Sequence, residues 1–221
     1  DLAIVLDWLQ DFVQAKPLLR NVRLNARLGL TLPTGKKADV NKILAFPFGY
    51  NGTSALIFGG GLNCTLGCYT HLGFDIELRS LFGNTTCQRI KVANCQTELL
   101  LLQKARVYND YALEQQYTIF GELYDLIPHT SVKLAYQFFK RGDSTISLYG
   151  NCFSDKIANS AQDIQERNWH EILCVATYDF GYLTHDHSRA TPSLSVYGEF
   201  PYRGKRALTC LGIGLMANVD F

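Results

Sequence analysis

Apolar and polar residues alternate with a period of two along much of this chain. Residues 21–33, NVRLNARLGLTLP, show the pattern most clearly. The apolar positions are Val22, Leu24, Ala26, Leu28, Leu30 and Leu32. Successive side chains of a strand point to opposite faces, whereas a helix would scatter these residues around its axis. The segment is therefore predicted to be a β-strand with one apolar and one polar face.

The alternation recurs in seven further segments of the chain. It is regular in 70–80, 131–140, 170–180, 191–200 and 212–221, and less regular in 54–64 and 114–126. Together with residues 21–33, these segments predict eight strands of about ten residues each, a length that crosses hydrocarbon when the strand is tilted.

The connections between the predicted strands differ in length at the two ends. Short turns follow the second, fourth and sixth strands, whereas the stretches 33–52, 82–113 and 142–167 are much longer. The short connection RGKRA before the last strand is the exception. Brief turns at one end and long loops at the other are typical of transmembrane β-barrels.

The polar faces of these strands carry charges of both signs. A membrane barrel points its apolar face at lipid and keeps charged groups in its lumen, where they can pair. The residues predicted to face such a lumen are Arg23, Arg27, His71, Asp75, Glu77, Arg79, Lys133, Glu171 and Asp179. The predicted fold is thus all-β, an antiparallel up-and-down transmembrane β-barrel with about eight visible strands.

The last ten residues, GIGLMANVDF, alternate up to a terminal phenylalanine. This tail resembles the C-terminal targeting signal of bacterial outer-membrane barrels, which the barrel-assembly machinery reads. The resemblance implies location in the bacterial outer membrane, with that machinery and outer-membrane lipid as partners. The matching positions are Ile213, Leu215, Ala217, Val219 and Phe221.

Two further segments are similar to bacterial outer-membrane proteins: LGLTLPTGK at 28–36, and the stretch from NWHEI to PSLSVYGEFPYRGKR within 168–206. The first resembles an outer-membrane transport family in which a Leu-Pro-Thr-Gly loop follows a strand. Barrels of that family usually have more than eight strands, so this chain could be the C-terminal part of a larger barrel. Residues 1–20 are then a periplasmic segment or a remnant strand, and residues 21–221 are the barrel domain.

Composition excludes several other classes of protein. The formal net charge of +1 gives no reason to expect a nucleic-acid partner, and no apolar run reaches the roughly 18 residues of a membrane-spanning helix. Neither an initiating methionine nor a signal peptide is present, which suggests a mature form or a piece of a longer protein. Among seven cysteines, Cys87 and Cys95 flank a polar loop and could form a disulfide in an oxidising compartment.

Motifs for catalysis or cofactor binding are weak. PTGKK at 33–37 lacks the upstream glycine and the following Ser or Thr of a phosphate-binding loop. The glycines of FGGGLN at 58–63 more often mark a bend or close packing at a barrel corner than a nucleotide site. We therefore expect no enzymatic activity, no cofactor and no bound metal.

Three functions are compatible with this sequence. The first is a passive pore or uptake channel whose lumen charges select small solutes, with oligomerisation or further strands widening the barrel. The second is a non-conducting structural or adhesive barrel that presents long external loops, cross-linked by disulfides. The third is a soluble lipocalin-like carrier, whose apolar face would point inward around a ligand.

Overall fold

The computed structural model describes residues 1–42, 49–96, 101, 103–150, 152–180, 191–207 and 210–220. Within this part of the chain there are twelve strands and one four-residue helix, so the all-β class is confirmed. In chain order these elements are β1 (Leu2–Val13), β2 (Leu19–Leu32), β3 (Ala55–Leu66), β4 (Thr70–Leu81), β5 (Asn84–Ile90), β6 (Gln103–Asp110), β7 (Glu114–Tyr124), β8 (Thr130–Arg141), β9 (Thr145–Leu148), α1 (Asp155–Ala158), β10 (Arg167–Asp179), β11 (Thr191–Lys205) and β12 (Gly212–Asp220).

Nine of the strands form one antiparallel sheet in the order β1-β2-β3-β4-β7-β8-β10-β11-β12. Within this sheet each strand lies beside the next one along the chain, which is the predicted up-and-down arrangement. All eight strands predicted from the alternation belong to this sheet. The ninth, β1, pairs with β2 from Leu2↔Leu32 to Val13↔Asn21. Residues 2–13 are therefore a full strand of the same sheet.

The predicted closed barrel is not found among the described residues. The sheet ends at β1 on one side and β12 on the other, and no described ladder joins these edges. Because an antiparallel sheet of nine strands is odd-numbered, β1 and β12 run in the same direction. An antiparallel ladder cannot form between two such strands.

Two of the three long connections fold into a second sheet. Strands β5 and β6 lie within 82–113 and β9 lies within 142–167, and they pair in the order β5-β6-β9. Ile90, Val107 and Ile146 form a small buried core beneath this sheet. We call β5, β6, β9 and α1 the cap; it lies at the long-loop end of the nine-stranded sheet.

Polar contacts hold the cap together and join it to the nine-stranded sheet. The Asn159 side chain accepts a 2.7 Å hydrogen bond from the Ile146 amide and donates another of 2.7 Å to the Ile146 carbonyl, which fastens α1 to β9. Just before β3, the Thr53 hydroxyl donates to the carbonyl of Phe82 at 2.7 Å. The Tyr111 hydroxyl, between β6 and β7, donates to Asn84 at 3.1 Å.

One face of the nine-stranded sheet is apolar and exposed, and it is called the outward face. Leu6, Leu28, Leu134 and Leu215 lie on one face of the nine-stranded sheet and are 69%, 51%, 56% and 73% exposed. The opposite face carries most of the charged residues of the strands. The described residues contain no helix that is both long enough and apolar enough to cross a membrane.

The core of the cap can be tested with a single truncation. Val107 is 0% exposed, so Val107→Ala removes two buried carbons and leaves a cavity. We expect a loss of about 2 kcal/mol in the local stability of the cap. Hydrogen exchange should show faster opening of β5, β6 and β9 than in the native chain, with β2–β4 unchanged. The control is Gln103→Ala, at an exposed position at the start of the same strand. Equal rates of hydrogen exchange in the two variants would contradict a packed cap.

Candidate functional site: the polar face of the nine-stranded sheet

A polar cavity of about 330 Å³ lies on the charged face of the nine-stranded sheet. Four of the residues predicted to face a lumen line it, namely Arg27, Asp75, Glu77 and Lys133. The other polar side chains that line it are Asp7, Asn25, Gln116, Thr118 and Gln137. The strands that supply these side chains are β1, β2, β4, β7 and β8.

The sheet curls around this polar face. Asp7 on β1 and Gln137 on β8 line the same cavity, although four strands separate β1 from β8. In a flat sheet, five spacings of about 4.8 Å would put these two strands about 24 Å apart. A cavity of this size can reach both strands because the charged face is concave.

A chain of ion pairs crosses four strands on this face. Arg27 on β2 donates to Asp7 on β1, with Nε and Oδ1 2.7 Å apart, and its NH1 lies 3.3 Å from Oε2 of Glu77 on β4. Arg79 donates from Nε to the other Glu77 oxygen at 2.6 Å and from NH1 to the Tyr50 hydroxyl at 3.1 Å. Each charged group therefore faces a partner of opposite sign.

Two glycines of β3 allow side chains to meet across that strand. In the sheet register Gly59 lies between Arg27 and Glu77, and Gly61 lies between Asn25 and Asp75. A Cβ on Gly61 would lie 2.0 Å from Oδ1 of Asp75. Because that space is empty, Asn25 reaches over β3 and donates to Asp75 at 3.1 Å. The glycine run FGGGLN thus serves close approach of side chains over a strand.

A second ionic group lies nearer the short-turn end of β1 and β2. Arg23 forms a two-point contact with Asp11, from Nε to Oδ1 at 2.8 Å and from NH2 to Oδ2 at 3.0 Å. Asn21 donates to the same carboxylate at 2.8 Å. Arg23 therefore lies on the predicted face, with its charge directed at the neighbouring strand.

The remaining predicted residues lie on the same face but outside these ionic groups. Lys133 lies over the Phe120 ring, with its Nζ 4.2 Å from the ring centroid. The ring of His71 contacts that of Tyr124, with centroids 4.7 Å apart. Glu171 is half-buried in β10, and Asp179 lies at the short-turn end of that strand beside Thr130 and Ser193. The charged side chains of β1, β2 and β4 therefore lie closer together than those of β10.

The sequence prediction does not include the two carboxylates of β1. Asp7 and Asp11 interrupt an apolar run, and their spacing of four puts them on one face of a strand. Asn25, Gln116, Thr118 and Gln137 alternate in the same way, and their neutral side chains gave a weaker signal. A search for charges at even spacing would have identified both aspartates.

The residues that match the C-terminal signal lie on the outward face of β12. Ile213 and Leu215 are each 73% exposed, and Val219 is also exposed. Ala217 pairs in register with Leu194 of β11. Phe221 lies outside the described residues.

Cys87 and Cys95 are exposed free thiols in the structure. Cys87 lies in β5, and Cys95 follows that strand by five residues. Both belong to the cap side of the molecule. A disulfide between them stays a prediction.

The polar face offers fixed charges and hydrogen-bonding groups to a solute. Three carboxylates and two cationic side chains line the cavity, so its surface has a slight excess of negative charge. Among the described residues, no cluster of three or more histidine, cysteine or acidic side chains could hold a metal ion. A surface with these groups can orient water and small cations.

The role of Gly61 can be tested by filling the space above it. In Gly61→Ala the new Cβ would meet the Asp75 carboxylate and lie 2.7 Å from the backbone oxygen of Phe74. We expect a loss of about 1–3 kcal/mol in the free energy of unfolding, because both groups must move. Denaturant titration measures the loss.

Gly121→Ala is the matched control for this test, since its Cβ would lie 3.3 Å from a flexible leucine side chain, that of Leu72. In the Asp75→Ala background the cost of Gly61→Ala should fall, because the closest atom has gone. Equal losses in both glycine variants would contradict a specific role for Gly61.

Comparisons with protein-family models, with curated proteins and with solved structures found no match. The function of this chain is therefore inferred from its own residues and their geometry.

Proposed function

We propose that this chain is an integral outer-membrane β-barrel protein of bacteria that acts as a passive pore or uptake channel with a charged lumen. The observation that carries the proposal is the inverted polarity of the curled sheet. Leu24, Phe74 and Leu215 are exposed on its outside, while Arg27 and Glu77 pair on its concave face. Lipid satisfies the first surface and water the second, as in transmembrane barrels.

The length of the apolar band suits a bilayer. On the outward face of β10, His170 lies in an aromatic cluster at one end, and Tyr178 contacts Phe180 at the other, with ring centroids 4.8 Å apart. A rise of about 3.4 Å per residue makes the distance from His170 to Tyr178 about 27 Å along the strand. Transmembrane strands of tilted barrels have this length, and aromatic girdles flank their apolar band.

The two ends of the sheet also suit a membrane orientation. Described short turns join β1 to β2, β3 to β4 and β7 to β8 at one end, whereas the cap lies at the other. By analogy with outer-membrane barrels, the short turns face the periplasm and the cap faces the outside of the cell. The exposed alternating residues of β12 then serve as the targeting strand.

The proposed barrel requires that the nine-stranded sheet close into a cylinder. A barrel of eight strands has an interior just wide enough for side chains, so nine strands alone leave little room for a solute. The unpaired edges β1 and β12 run in the same direction, and an antiparallel closure requires an odd number of additional strands. Such strands, supplied by a longer chain or by oligomer partners, would also widen the lumen.

A second candidate function is a non-conducting barrel that displays the cap. It is favoured by the cap's own buried core and by the ion pairs that occupy the concave face. A soluble lipocalin-like carrier has less support, because its apolar residues would point inward. Here Leu6 and Leu215 are among the most exposed apolar side chains.

Membrane residence and conductance can be tested separately. We expect the protein to stay in the membrane fraction after washing with high salt and carbonate, and to require detergent for extraction. Purified protein should then give stepwise currents in planar bilayers. Release into buffer without detergent would overturn the membrane assignment, whereas stable insertion without current would favour the display function.

The charge of the cavity predicts its selectivity. Asp75→Asn removes one carboxylate and keeps an oxygen that can accept the hydrogen bond from Asn25. We expect the preference for cations over anions to fall by up to about fivefold, because a unit charge about 4 Å from an ion in water contributes about 1 kcal/mol. Reversal potentials in a salt gradient measure this preference. Thr118→Ser is the neutral control in the same cavity, and an unchanged reversal potential in Asp75→Asn would exclude this carboxylate as a selectivity element.

A further inference from the structure

A group of cationic side chains borders the apolar surface at the cap end of β8, β10 and β11. Lys140, Asn168 and Lys205 form one row of the sheet register on its outward face, and Arg203 pairs with His170 in the next row. Arg206 follows directly after β11. Lys140, Arg203, Lys205 and Arg206 are called the basic rim here.

One carboxylate lies within the basic rim. Glu166 accepts from Lys140 on one oxygen and from Lys205 on the other, both at 3.2 Å, and its carbonyl accepts from Arg206. Hydrogen bonds from the Lys140 and Lys205 ammonium groups hold the pKa of Glu166 below its usual range, so this residue stays charged at neutral pH. Asp143 lies close by and accepts a hydrogen bond from the Glu166 amide. Four cations outnumber these two carboxylates, so the basic rim carries a net positive charge.

An aromatic cluster begins level with Arg203, in the row below Lys140 and Lys205, and extends toward the short turns. His170 stacks on Phe138, with ring centroids 4.7 Å apart, and contacts Tyr202 at 5.9 Å. The Tyr136 hydroxyl and Nδ1 of His170 are 2.8 Å apart. Exposed apolar residues of the same face continue toward the short turns, among them Leu134, Ile172 and Val196.

The order of these layers matches that of a lipid with an anionic headgroup. Charge, aromatic rings and aliphatic side chains follow one another down a single face, as phosphate, glycerol region and acyl chains do in such a lipid. Aromatic rings prefer the interfacial depth, and basic residues just beyond it attract anionic headgroups. Zwitterionic lipid offers the same apolar chains without the net negative charge.

We infer that the outward face of β8, β10 and β11 is a binding site for a phosphate-bearing anionic lipid, with its headgroup on the basic rim and its chains along the apolar face. The inference rests on the proposed membrane location. In it, Arg203 and the two lysines contact the phosphate, and Glu166 competes with the lipid for those lysines.

Native mass spectrometry of the full chain in maltoside micelles tests this site, with dimyristoyl phosphatidic acid as the probe. We expect saturable binding of phosphatidic acid and little retention of dimyristoyl phosphatidylcholine. Arg203→Gln and Lys205→Gln should each weaken binding by about fivefold. Lys16→Gln, which removes one cation in the turn between β1 and β2, is the control and should leave binding unchanged.

Glu166→Gln gives a test that cannot be mistaken for misfolding, because it predicts a gain. Removing the competing carboxylate should tighten phosphatidic acid binding by about fivefold. Weaker or unchanged binding in this variant, with the native chain's extraction behaviour, would overturn the inference.

Competition separates a lipid site from a free phosphate site. Inorganic phosphate and glycerol 1-phosphate should displace the lipid only at concentrations far above its own, because they lack the chains that contact the apolar face. Displacement at equal concentration, or equal retention of phosphatidylcholine, would contradict the assignment. A chain that stays inserted in the membrane but shows either result refutes this inference alone, whereas a chain that leaves the membrane in buffer refutes the proposed function as well.

Discussion

The cross-strand pairing of charges on the concave face is the constraint on which the architecture depends. An alternating strand with an apolar outer face must direct its remaining side chains to the other face. Arg27 then has Asp7 on one side and Glu77 on the other, and Arg23 has Asp11. If these strands slipped by one residue, each charge would move to the apolar face and lose its partner. The ion pairs therefore fix the register as much as they stabilise the sheet.

The strands of the nine-stranded sheet were largely predictable, because a two-residue period held for ten residues leaves few alternatives. β1 is harder to predict, because apart from Asp7, Gln10 and Asp11 its residues are apolar on both faces, which hides the two-residue period. The cap was missed for a different reason. Its strands are short, and β9 has only four residues, too few for a period to be recognised. Their pairing brings together segments that are far apart in sequence, such as Val107 and Leu148.

The sequence predicts which face of the sheet carries the residues of the candidate site, but not which of them contact one another. Alternation predicts that Arg27, Asp75, Glu77 and Lys133 share one face, and in the structure these four line one cavity. It could not show that Asn25 reaches Asp75 over Gly61, because contact across an intervening strand depends on what that strand lacks. Nor could it show that Lys133 lies over the ring of Phe120 on the neighbouring strand. Pairing of this kind requires the register, which no single segment contains.

In the proposed pore, the ion pairs and the solute impose opposite demands on the number of strands. Ion pairs on the concave face would fill the interior of a narrow barrel. A solute path needs spacing between those side chains, which only more strands can supply. The parallel edges β1 and β12 make the addition of an odd number of strands the simplest way to meet both demands, because it restores antiparallel pairing and widens the interior together. The same odd strand count thus links the chain's open edges to the width that a pore requires.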